Sequence, residues 1–99
     1  MADHPLSPIA KIDPEFMKHL DQTNHMVYVS GALPKKIKLL IAMAFDAAYG
    51  AANGVKSLAS AAMAEGATKE EIAEALRVAY HLSGVGSLYT AAQGLKDIL

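Results

Sequence analysis

Four histidines, ten carboxylates and four tyrosines are the side chains of this 99-residue chain that could move a proton, and it has no cysteine. The missing thiols remove thiolate nucleophiles, disulfides and thiolate metal ligands together. His25 follows Asp21 by four residues, one helical turn, so the two can pair. Such a pair can act as a base, although its plainer reading is a surface ion pair. His81 continues the polar line Glu74, Arg77, His81 and precedes the Gly84-Val85-Gly86 break. Backbone amides at that break could receive an anion, while the plainer reading is a solvated or interfacial imidazole. Asp46 is the one acid in an otherwise apolar stretch and must find a partner if buried. Tyr49 stands at a glycine-flanked break and, with Tyr80 and Tyr89, could line a pocket; more often such residues are core with the hydroxyl reaching a surface. His4 and His19 read as solvated. No histidine spacing matches a helical ligand pair, so neither metal nor cofactor is expected. His81, His25, Asp46 and Tyr49 are the candidates for catalysis.

Helices must position these groups. Asp13-Pro14-Glu15 is a helix start, with a capping carboxylate, a proline suited to the first turn and an acid at the positive end of the dipole. Phe16, Met17, Leu20, Asn24 and Val27 follow at helical spacing, and Gly31 before Pro34 closes the element. A second helix is expected over about 34–52 with the stripe Ile37, Leu40, Ile41, Ala44, Phe45, Ala48 and Ala52, and with Leu39, Ala42 and Met43 on its other side. A helix apolar nearly all round is a buried one, and part of its cover is expected from another subunit. The third helix is expected over about 55–65. Gly66 then supplies a left-handed ending, and Thr68-Lys69-Glu70-Glu71 is a capping box opening the fourth helix. That helix carries Ile72, Ala73, Leu76, Ala79 and Tyr80; a fifth, after Gly84 and Gly86, carries Leu88, Ala92, Leu95 and Leu99. No alternation of strand length is present. The expectation is one all-α domain of five helices over residues 13–99, built on antiparallel hairpins, preceded by a flexible arm at 1–12 that carries Pro5 and Pro8.

Composition narrows the function classes. The chain is 53% hydrophobic and 19% charged, against a usual charged share of about 25%. A domain this small has little volume in which to hide so much apolar surface, which favours a homo-oligomer. Net charge is −1, and Lys35-Lys36-Ile37-Lys38 is too narrow a basic footprint for nucleic acid. No apolar run reaches the roughly 18 residues of a membrane span, and the first residues lack the basic and apolar regions of a signal peptide. A cytoplasmic location is expected by default.

Two blocks carry a resemblance: Leu33-Pro34-Lys35-Lys36-Ile37-Lys38-Leu39-Leu40-Ile41-Ala42, and Ala62-Met63-Ala64-Glu65-Gly66-Ala67-Thr68-Lys69-Glu70-Glu71-Ile72-Ala73-Glu74-Ala75-Leu76. With them, the stretch 13–99 resembles the carboxymuconolactone decarboxylase and alkylhydroperoxidase-D-like family of small helical proteins. In the peroxidase-like branch the family pattern is a Glu, then Cys-x-x-Cys twelve residues on, then His four after the second Cys. A thiolate attacks the oxidant, a second thiol resolves it, and Glu and His relay protons. Anchored on Gly66-Ala67-Thr68, those positions hold Leu39, Ala51, Gly54 and Leu58 here. The lactone decarboxylase branch resembles the rest in keeping the His, and Leu58 departs from that too. No functional residue is therefore carried over, and the site is expected to have relaxed into core, with Leu39 and Leu58 both largely buried.

The resemblance implies a helical hairpin bundle assembled as a trimer or hexamer of identical chains. The leading expectation is a family member without the thiol centre that binds a small molecule or serves as an assembly unit. The alternative is a non-thiol enzyme resembling the lactone decarboxylases, acting on a small carboxylic acid through His81, His25, Asp46 or Tyr49.

Overall fold

Six helices make up the computed structural model, which describes residues 4–99: α1 (Ser7–Ile12), α2 (Pro14–Tyr28), α3 (Lys35–Tyr49), α4 (Ala52–Ala64), α5 (Lys69–Ser83) and α6 (Gly86–Leu95). No strand occurs among the described residues. The five helices expected over residues 13–99 are present as α2 to α6, and the sixth, α1, falls in the stretch 1–12 expected to be an arm. Of the arm expected at 1–12, residues 1–3 lie outside the described part, while Ser7–Ile12 is a helix. Pro8 does not break this helix, because it falls in the first turn, where its preset φ suits a helix and no amide partner is lost.

The helix ends follow the local chemistry. Asp13 accepts the Phe16 amide at 3.1 Å and starts α2. Both α3 and α4 end in a left-handed glycine, Gly50 (φ 83°) and Gly66 (φ 96°). Each closes with a wide backbone bond, Ala51 N–H to Asp46 C=O at 2.8 Å and Ala67 N–H to Ala62 C=O at 2.9 Å. The capping box forms as expected: Glu71 N–H donates to Thr68 Oγ1 at 3.1 Å, and Thr68 N–H donates to Glu71 Oε1 at 2.9 Å.

The hairpin of α3 and α4 is the centre, with α5 packed on α3, and α6 against α4, α3 and α5. The core gathers Leu39, Leu40, Met43 and Ala47 from α3, Val55, Ala59 and Ala62 from α4, Ile72 and Leu76 from α5, and Ala91 and Leu95 from α6. Alanine at so many core positions lets the helices approach closely, so apolar content goes into tight contact rather than volume. Two helices, α1 and α2, stand apart, and α1 has no buried residue and packs chiefly on α2. No residue of α2 is buried, and it packs chiefly on α1 and only slightly on α3. Among the described residues no helix is long and apolar enough to cross a membrane.

Candidate functional site

Because α5 packs beside α3, a groove of about 420 Å³ opens between them. It is lined by the α3 stripe Ile37, Leu40, Ile41, Ala44, Phe45 and Ala48 on one wall. Across it stand Ala75, Val78, Ala79, Leu82 and Ser83 of α5. The stripe that the sequence pattern singles out on this helix thus faces the groove. The residues assigned to its far side, Leu39 and Met43, face the chain's own core. A helix apolar nearly all round has two candidate inner faces, and periodicity does not choose between them. The groove wall is open to solvent: Phe45 is 55% exposed, Val78 59% and Leu82 79%.

None of the four candidates for catalysis lines this groove. His25 is exposed on the last turn of α2, and no ion pair with Asp21 forms among the described residues. The expected Asp21–His25 couple is therefore absent; two exposed side chains in water gain little from meeting. His81 is exposed on the last turn of α5, where it suits the negative end of the dipole. Tyr49 is 78% exposed and lies against Phe45, with ring centroids 6.0 Å apart. Asp46 is half-buried and lies on the first turn of α4, its carboxylate filling the space above Gly54. That turn has no side-chain cap of its own, so a carboxylate there complements the helix dipole. No hydrogen bond joins any two of the four among the described residues. Nor do three or more of the described histidines and acids gather as a metal would require.

The positions that align with the family's thiol site are apolar or small. Leu39 is buried, at 5% exposure, within the main core. Leu58 is only half-buried and packs against the edge of that core, which corrects the expectation that both are largely buried. Its place on α4 lies one residue before the buried Ala59, at the boundary of the inner face. Ala51 and Gly54 sit at the start of α4 beside Asp46. None of these four residues carries a thiol, hydroxyl, imidazole or carboxylate, and the ionisable group beside them is Asp46.

The second wall of the groove is what sequence reasoning missed. Val78 and Leu82 are four residues apart on α5 and fall outside the stripe Ile72, Leu76 and Ala79, a signal visible in the sequence once a second face is sought. In comparison with known proteins, a family model described as the carboxymuconolactone decarboxylase family matches residues 14–97. No curated protein and no solved structure matches the chain.

Proposed function

The chain belongs to the carboxymuconolactone decarboxylase family, and on that premise we propose that it is a member without a thiol centre that serves as an assembly unit, associating with copies of itself through the α3–α5 groove. One observation carries this reading: the groove is walled by apolar side chains, with Ile41, Phe45, Val78 and Leu82 all exposed. A contiguous apolar surface of this kind marks an interaction site rather than ordinary surface. A small-molecule site is built differently, with a few placed polar groups that orient the ligand. Here only Ser83 contributes a polar side chain, and its hydroxyl is already donated to Ala79 C=O at 2.6 Å.

The experiment is mass in solution. Light scattering at micromolar concentration should give a multiple of 10.4 kDa, and Phe45→Glu should shift the protein toward monomer by placing a charge inside the interface. A wild-type monomer at all concentrations overturns the reading. The second reading is an apolar ligand in the same groove, favoured by a volume of 420 Å³ that falls in the usual range for ligand pockets, about 300–1,000 Å³. A monomer that binds a hydrophobic dye stoichiometrically, with Phe45→Glu abolishing the binding, would put that reading first.

A further inference from the structure

The helix α2, which touches the body only near its end, and the α3–α5 groove are the same length. α2, α3 and α5 each have fifteen residues, about 22 Å of helix. On α2, Phe16, Leu20 and Val27 fall within one narrow arc at 100° per residue, while Glu15, Lys18, Asp21 and His25 fall on the opposite side. Phe16 is 50% exposed and Val27 47%, with Leu20 between them half-buried, so the two ends of this apolar face are open to water. The linker holds α2 at the start of α3, with Lys38 Nζ donating to Val29 C=O at 2.8 Å and Lys35 N–H donating to Ser30 Oγ at 3.0 Å. No residue of α2 reaches the groove of its own chain. The radius of gyration is 14.3 Å, against about 12.6 Å for a compact domain of this length, as expected when the α1–α2 pair projects from the body.

Resting on the self-association proposed above, we infer that α2 of one copy seats its Phe16–Leu20–Val27 face in the α3–α5 groove of a second copy, and that the exchange is reciprocal. Area decides for reciprocity. A helix about 10 Å wide and about 22 Å long has a lateral surface of about 700 Å². Seating half of it, and covering the same area of groove, removes about 700 Å² from water; two such dockings remove about 1,400 Å². Stable interfaces need roughly 1,200–2,000 Å², so one docking falls short and the pair suffices. The reciprocal arrangement is a twofold one, in which residue i meets j and j meets i. Assemblies built from it have an even number of copies, a dimer or a hexamer of three dimers.

The cysteine-free chain gives a clean background for crosslinking. Full-length chains carrying Phe16→Cys or Val27→Cys are mixed with differently tagged chains carrying Ile41→Cys or Leu82→Cys, then treated with a short bismaleimide. The expected result is a covalent heterodimer for at least one pairing of an α2 site with a groove site, in an assembly of even stoichiometry. Oligomers that crosslink only groove to groove, a trimer, or closure within one chain would overturn the exchange. The first two leave self-association standing, whereas a monomer removes both. Hydrogen exchange on the unaltered protein keeps the question answerable if a variant misfolds. α2 and α5 amides should slow together, at least roughly tenfold, as concentration is raised through association. Slowing of α5 without α2 would overturn the exchange.

Discussion

The carboxylate of Asp46, on α3, occupies the space that a side chain on Gly54, on α4, would fill: a Cβ there would overlap Oδ2 and lie 2.8 Å from Cγ. Glycine at 54 therefore lets an acid from one helix lie on the first turn of the next. Two opposed effects follow for Gly54→Ala. Alanine favours a helix over glycine by up to about 1 kcal/mol, while the displaced carboxylate leaves the positive end of α4, losing about 0.3–1 kcal/mol. The single change should be close to neutral. In an Asp46→Ala background the second effect is gone, and Gly54→Ala should stabilise by up to about 1 kcal/mol. Urea unfolding of the four members of this cycle measures the coupling, and strict additivity would mean the two residues do not meet.

Gly94 makes the contrasting case. A Cβ at that position would stand 2.5 Å from the carbonyl oxygen of Ala52 and 3.0 Å from Cβ of Val55. Neither neighbour can swing aside, since one is backbone and the other a β-branched residue with no exposure. Gly94→Ala should push α6 away from α4 and destabilise by about 1–3 kcal/mol, despite alanine's better helix propensity. Thermal unfolding decides the point, and a stabilised variant would contradict the close crossing.

Leu39 and Leu58 should differ in what truncation costs. Leu39→Ala opens a cavity in the main core and should destabilise by about 2–5 kcal/mol. Leu58 is half-buried at the core's edge, where water can reach part of the vacated space, so Leu58→Ala should cost less, about 1–2 kcal/mol. Equal costs in urea unfolding, with association followed in parallel, would mean that Leu58 is enclosed by a neighbouring chain. That result would itself locate an interface on α4.

How far the fold is legible in the sequence depends on how local the cause is. Asp13, Gly66 and the Thr68–Glu71 box act over three or four residues, and each terminus stands where they place it. The central helices are readable because their apolar residues repeat at helical period. Which face of α3 turns inward is not, because Leu39 and Met43 are as apolar as Ile41 and Phe45, and only the packing of α4 and α5 separates them. The candidate site fails for a related reason. His81, His25, Asp46 and Tyr49 are candidates by chemical type, but residues on separate helix faces meet only if tertiary packing turns them together. None of the four hydrogen-bonds another among the described residues.

Glu71 joins a local cause to a distant one, which makes the acid limb of stability a test of the fold. Its carboxylate accepts the Thr68 amide at 2.9 Å and pairs with Lys36 Nζ, from α3, at 3.0 Å. The Thr68 backbone bond first, and Lys36 second, hold its pKa below the ordinary 4.5. The sign follows from linkage: with the folded value the lower one, the unfolded chain binds the proton more readily. The stabilisation is therefore complete above the unfolded value and declines as pH falls through the folded one. Thermal midpoints measured from neutral pH downward should drop below about pH 4.5. Glu71→Gln keeps an oxygen for the Thr68 amide but loses the charge, so its midpoint should be lower at neutral pH and should fall less steeply in acid. Added salt should shrink the neutral-pH difference between the two proteins, because both partners of the pair are about one-third exposed. Parallel acid limbs for the two proteins would show that the contact between α3 and α5 does not depend on this carboxylate's charge.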